Sequence, residues 1–308
     1  MVRRFFMILT GVSFIFLCVW HADDAYPGDM EEGPVRQAIF AKRGWYPNSK
    51  AQLSRMIGRF LTAARTAPLQ GDLEALIVPH AGYVYSGQVA AYAYKHLVNA
   101  GFERVIMIGP SHRARFRGVS VNLQKGYQTP LGTAAADLNF ARKIIRSDPL
   151  IRWVPEAHAR EHSLEIQVPF IQTVLPKARI VPILMWEKNM DVCSKLAKIL
   201  FREINNTAST LLLASTDLSH FHEGKRARAL DMEFIKYVRS LDPEGLDRAL
   251  SSGRCEACGW GPAVTTLLTA RKLGANRSVI LNYANSGDVT GDYRQVVGYL
   301  SAALMRDN

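Results

Sequence analysis

Between residues 75 and 304 the chain alternates short, unbroken apolar runs with longer stretches whose apolar residues recur at helical spacing. Unbroken runs of strand length belong to strands buried on both faces, because a half-exposed strand would alternate apolar with polar. Residues 75–78, 104–108, 179–185 and 210–214 are such runs, and 278–282 and 296–304 are late ones. Helices are predicted over 88–98, 163–174, 191–204, 227–239 and 262–273. In the second of these Leu164, Val168 and Ile171 form the stripe, and Pro169 is a candidate kink. Pro182 places the strand over 179–185 at an edge or bulge, since proline cannot donate to a ladder. Strands alternating with helices imply an α/β fold: a mostly parallel central sheet with helices on both faces. No linker-like break divides 51–308, which reads as a single domain. An extended lead-in over 26–50 precedes it, punctuated by Pro27, Gly28, Gly33, Pro34, Gly44 and Pro47.

The first 25 residues read as an address. Arg3 and Arg4 make a short basic start, an apolar run follows over 5–20, and Asp23 and Asp24 end it. This is the pattern of a secretory signal peptide. The residues around Ala22 and Ala25 make a poor cleavage site, so an uncleaved anchor formed by 5–20 stays open, as does a twin-arginine signal. Either way the protein is expected to be exported, periplasmic or extracytoplasmic.

Composition narrows the function classes. The chain has 48% hydrophobic and 21% charged residues, which suits a packed domain rather than disorder. The formal charge is +11, and because two arginines and two aspartates cancel in the first 25 residues, the body carries all of it. A basic surface favours anionic partners. Lys and Arg are spread widely and no nucleic-acid motif is present, so no nucleic-acid partner is expected. Four cysteines, Cys18, Cys193, Cys255 and Cys258, are too few for a disulfide framework.

In open α/β sheets, sites form beyond the carboxyl ends of the strands. Three predicted strands end in polar loops with histidine: Val78-Pro79-His80, Gly109-Pro110-Ser111-His112, and Ser215-Thr216-Asp217-Leu218-Ser219-His220. If these strands are parallel neighbours, the three imidazoles converge on one edge. Imidazole is the commonest protein ligand of transition metals, so His80 and His112 are candidate ligands. His96 and His158 lack this placement and read as structural. Cys258 precedes Pro262, a good first helical residue, so the helix dipole should favour its thiolate. A Cys255–Cys258 disulfide or redox pair is the competing reading. Asp217 and His220, three apart, read as a general base with its orienting carboxylate, or else as a cap and a structural histidine. Glu161 and His162 open the predicted helix over 163–174 and are placed as support for the cleft. Arg113, Arg115 and Arg117 follow His112, while Lys225, Arg226 and Arg228 follow His222. They are either anion-attracting loops, with Arg113 a substrate contact, or plain solvated surface.

These segments together resemble the Memo family, also called protein B of the AmmeMemoRadiSam system. The resemblance runs in one order from Gly44-Trp45-Tyr46 through Pro79-His80-Ala81-Gly82-Tyr83-Val84-Tyr85-Ser86-Gly87, Gly109-Pro110-Ser111-His112, Thr129-Pro130-Leu131, Glu161-His162-Ser163-Leu164-Glu165 and Asp217-Leu218-Ser219-His220 to Cys258-Gly259-Trp260-Gly261-Pro262 and Leu281-Asn282-Tyr283-Ala284. It implies a fold distantly similar to class III extradiol dioxygenases, which cleave catechol-type rings with non-haem iron(II). It also implies one metal ion, iron(II) or copper, on His80, His112 and Cys258. His220 falls where those enzymes keep an acid/base histidine, and Trp45 and Tyr85 fall on cleft-lining aromatics. Radical-SAM and AMMECR-type partners are implied as well. The chain departs from the family pattern in its export signal and in Cys255. The expected function is a metal-dependent redox enzyme acting on a small anionic or phenolic substrate. The alternative is a non-catalytic protein that holds metal or an anionic peptide.

Overall fold

The computed structural model describes residues 31–204 and 209–307. The predicted signal or anchor over 1–25 and the first five residues of the lead-in lie outside them. Among the described residues no helix is long and apolar enough to cross a membrane.

Among the described residues eleven strands and ten α-helices follow one another from α1 (Lys50–Ala63) and β1 (Asp72–Val78). Next come α2 (Tyr83–Tyr94), β2 (Arg104–Pro110), β3 (Val119–Val121), β4 (Gly126–Thr129), β5 (Gly132–Ala135), α3 (Leu138–Arg146), β6 (Ile151–Arg152), α4 (Pro155–Ala159) and α5 (Val168–Val174). Then follow β7 (Arg179–Met185), α6 (Met190–Ile204), β8 (Thr210–Ser215), β9 (His220–His222), α7 (Gly224–Arg239) and α8 (Pro243–Ser251). The last are α9 (Trp260–Lys272), β10 (Arg277–Asn285), α10 (Gly287–Thr290) and β11 (Val296–Arg306). The main sheet runs β10-β11-β1-β8-β2-β7-β3-β6, and β9 adds to β11.

The four central strands β1, β8, β2 and β7 are mutually parallel. These are the four unbroken apolar runs, and their residues are fully buried over 75–78, 105–108 and 211–214. Successive side chains point to opposite faces. Leu76, Val78, Val105, Met107, Leu211 and Leu213 join one core with residues of α1, α2 and α5. The alternate residues face the other side, where α9 lies against β8 and β2 and packs on α6 and α8. The sheet is therefore α/β with helices on both faces, as the pattern implied. Outside the central four, β11 against β1, β10 against β11 and β3 against β7 are antiparallel, while β6 runs parallel to β3.

Two expectations are corrected. Strand β7 is interior, between β2 and β3, so Pro182 marks no edge. The Pro182 carbonyl accepts the Asn122 N–H, so its missing N–H also faces β3, one residue beyond the last registered β3 pair at Ile183. The proline thus withholds only the return bond to Asn122, at the end of the β3 ladder. The predicted helix over 163–174 is a 3-10 turn (Glu165–Gln167) followed by α5, so its first residues are free to make a loop.

The lead-in is pinned rather than merely extended. Gly33 and Arg36 bridge to Gln124 and Tyr127. Arg36 is buried and ion-paired to Glu165 at 2.6 Å. Glu165 also accepts the Ile39 and Phe40 N–H groups and the Tyr46 hydroxyl. These bonds fix the turn that presents Trp45.

Candidate metal centre and its cleft

Three adjacent parallel strands, β1, β8 and β2, end side by side, and His80, Asp217 with His220, and His112 follow their ends. The His80 and His112 rings meet edge to face with centroids 5.3 Å apart. The thiol of Cys258 arrives from the loop before α9, and its Sγ lies 3.1 Å from His80 Nε2. One donor atom from each of His80, His112 and Cys258 falls within 4.8 Å of the others. A single ion with bonds of roughly 2.0–2.3 Å can reach such a set.

Each donor is held by its far side. His80 Nδ1 meets Ser215 Oγ at 2.9 Å, and the His80 N–H donates to Asp217 Oδ1 at 2.7 Å. Ser215 is held in turn by the Gln167 amide and the Ser163 carbonyl. His112 Nδ1 lies 2.8 Å from Glu161 Oε1. In both rings Nδ1 is engaged, which leaves Nε2 as the candidate ligating atom. Glu161 also accepts the backbone N–H groups of His112, His162 and Ser163. Burial opposes its ionisation, but the His112 bond and the other donors hold its carboxyl down to about 2. The donor set fits a transition metal: two oriented imidazoles and a thiol are softer than the oxygen cages of calcium or magnesium.

Cys258 departs from the dipole expectation. Helix α9 starts at Trp260, two residues before Pro262, and Gly259 is its N-cap. Burial and the neighbouring Asp217 charge push the Cys258 thiol up rather than down, against the N–H donors around it. Cys193, Cys255 and Cys258 are all free thiols. Gly259 explains how the loop comes so near β8: a Cβ there would lie 2.6 Å from the Ser215 carbonyl oxygen. Gly109 plays the same part for the Glu161 loop, since its Cβ would sit 2.7 Å from Ser163 Oγ.

His162 is buried and stacks on His112 at 4.3 Å and against Trp45 at 4.7 Å. Burial first, then the facing His80, lowers it to about 3, so it stays neutral. It forms a second candidate metal-holding group with His112 and Glu161. The hydrogen bonds already made by Glu161 compete with that role. Burial likewise lowers His80 far below its usual value, which keeps its imidazole unprotonated.

A cleft of about 790 Å³ opens over these rings, and Trp45, Tyr85, His80, His112, His162 and His220 line it. Asp217 lines it too, but it does not orient His220 by a hydrogen bond. His220 Nδ1 meets the Leu218 carbonyl at 2.8 Å, while the Asp217 carboxylate holds His80. Asp217 feels His220 through charge: burial raises the carboxyl, and the His80 N–H and His220 pull it back. Arg113 is exposed and outside the cleft lining, and the same holds for the basic residues after His222. The arginine at the cleft is Arg43, which sequence reading missed, as it missed Phe221 and Tyr299. The Gly44-Trp45 motif beside Arg43 was the available signal. His158 is structural, bonded to Ser120 and Tyr127.

The family model described as Memo-like protein matches residues 36–303. A MEMO1 family protein of Methanothermobacter thermautotrophicus is 38% identical over 76% of this chain and 86% of its own length. One from Methanopyrus kandleri is 34% identical over 90% of this chain and 100% of its own. A crystal structure of an uncharacterized protein from Escherichia coli K12 aligns with 76% of this chain and all of its own, at 14% identity and a TM-score of 0.49.

Proposed function

This chain belongs to the Memo family, and on that premise we propose that it binds one iron(II) or copper ion through His80, His112 and Cys258 for redox chemistry on a small anionic or phenolic substrate. The observation that carries the reading is the 3.1 Å approach of Cys258 Sγ to His80 Nε2, with a His112 donor in reach and both Nδ1 atoms already engaged. A bound ion would supply open coordination positions and electron transfer.

The remaining work falls to the chain's own groups. A carbonyl only accepts, so the Leu218 contact puts the His220 proton on Nδ1 and leaves Nε2 as a base in the cleft. A proton taken there from a substrate hydroxyl meets the negative field of Asp217. Glu161 holds His112 in its ligating orientation. Trp45, His162 and Tyr85 give the cleft aromatic surface.

The test is anaerobic loading with iron(II) or copper(I), measurement of metal per chain, and oxygen uptake with phenolic and catecholic compounds. One ion per chain and uptake above a His80→Ala protein are expected. No uptake above that control across a broad panel would refute the redox reading. A second reading, a non-catalytic holder of metal or an anionic peptide, draws on the cleft's size and its exposed apolar rim at Val84, Tyr85 and Phe221. Tight metal binding without turnover, with specific peptide binding, would select it. The basic-then-apolar start of the chain supports work outside the cytoplasm, where thiol titration checks that Cys258 is free of a Cys255 disulfide.

A further inference from the structure

The middle residue of β9 departs from strand geometry. His220 pairs with Val297 and His222 with Val296, so three residues of β9 oppose two of β11 and Phe221 is the extra one. Its φ is 62°, in the left-handed region that glycine normally supplies in such a bulge. A bulky aromatic is strained there. Phe221 is also 67% exposed, more than any other large hydrophobic side chain among the described residues. It lines the cleft, and its ring meets the His220 ring edge to face at 5.7 Å. Strained backbone and a wetted aromatic ring thus coincide on one residue, and burial within the chain offsets neither.

The charges of the cleft supply the second observation. Arg43 lines it and is exposed; its guanidinium sits over the Phe40 ring, and among the described residues it makes no ion pair. Two acids line the cleft as well: Asp292 is paired with Arg294 at 2.6 Å, and buried Asp217 accepts the His80 N–H at the floor. An unpaired cation and four aromatic side chains, Trp45, Tyr85, Phe221 and Tyr299, therefore face one cavity.

We propose that Phe221 is a ligand-contacting, specificity-determining residue, and that the cleft takes a small planar aromatic anion whose ring packs on Phe221 while its charge meets Arg43. This deepens the cleft reading proposed above and rests on it. The bulge does the aiming: it pushes one aromatic side chain out beside His220 while its neighbours stay paired to β11. A ligand ring placed there covers the exposed face of Phe221, which recovers burial that the chain alone lacks.

The test titrates the full chain with 2-naphthoate by calorimetry, with acetate as the ringless anion, and measures metal content and melting temperature of every variant. The wild type should bind naphthoate at least tenfold more tightly than acetate. Phe221→Trp should stay within threefold of the wild type. Phe221→Gly should weaken naphthoate at least tenfold and melt no lower than the wild type, because glycine relaxes the left-handed backbone. Arg43→Gln should weaken naphthoate at least tenfold. Wild-type chain that ignores naphthoate, a Phe221→Gly protein that binds it unchanged, or one that melts lower would overturn the proposal. The last result would make Phe221 a packing residue. Naphthoate binding that follows this pattern in a chain that takes up no metal would overturn the metal reading alone.

Discussion

Replacing Glu165 with glutamine isolates what pins the lead-in over the cleft. Glu165 is 0% exposed and Arg36 3%, and they are paired at 2.6 Å. Every other partner of the carboxylate is also a donor: the N–H groups of Ile39 and Phe40 and the hydroxyl of Tyr46. A glutamine amide offers one acceptor and one donor. Whichever way it turns, its NH2 group faces either the guanidinium or the backbone N–H groups, and in both cases the buried Arg36 loses its countercharge while keeping the carbonyls of His158 and Glu161. Removing one member of a buried pair costs about 3–5 kcal/mol. Against a total of roughly 5–15 kcal/mol this is a large loss. It lowers the melting temperature by on the order of 10 °C. Urea unfolding of the Glu165→Gln protein measures it directly. The double variant Arg36→Met with Glu165→Met should recover part of the loss, because no unpaired charge remains although the Ile39 and Phe40 N–H groups and the Tyr46 hydroxyl lose their acceptor. A Glu165→Gln cost below about 1 kcal/mol would refute the reasoning, since that is the scale of a solvent-exposed pair.

Glu161→Gln should lower metal affinity roughly 10- to 100-fold while the chain stays folded, because His112 loses the acceptor that orients it; competition with a chelator reads the change. Gly259→Ala should cost about 1–3 kcal/mol and reduce bound metal, since the new Cβ would press on the Ser215 carbonyl and displace Cys258; metal analysis and unfolding check both effects. Burial holds His158 down to about 3 in the folded chain, against 6.5 when exposed. The unfolded state therefore binds a proton first, and this contribution is complete above pH 6.5 and lost as the pH falls toward 3. At pH 5 the loss is about 2 kcal/mol. Glu161, held down to about 2, loses its contribution only below its usual 4.5, so the two windows separate. Unfolding at pH 7 and pH 5 should show a flatter dependence for His158→Gln; an unchanged slope would contradict the assignment.

The reach of sequence reading follows from which forces are local. The runs at 75–78, 104–108 and 210–214 had to be strands buried on both faces, because no half-exposed element tolerates unbroken apolar residues. Once such strands lie parallel and adjacent, the residues after their ends must share one edge, and His80, His112 and His220 do. The antiparallel setting of β10, β11 and β3 was not legible, because strand direction depends on long-range pairing and leaves no trace in hydrophobic period. The Pro182 expectation failed for the same reason: the proline fits inside the sheet because its missing donor faces β3 where that ladder ends, opposite Asn122. Arg113 was chosen for its nearness in sequence to His112, whereas Arg43 reaches the cleft from 69 positions away, carried by a turn that Glu165 holds. Residue type and local pattern determined the candidate ligands and the strands that carry them. Tertiary structure decided which charges face it, which way each imidazole is tied, and that the Cys258 thiol is raised by burial, because those are properties of neighbours brought together only by folding.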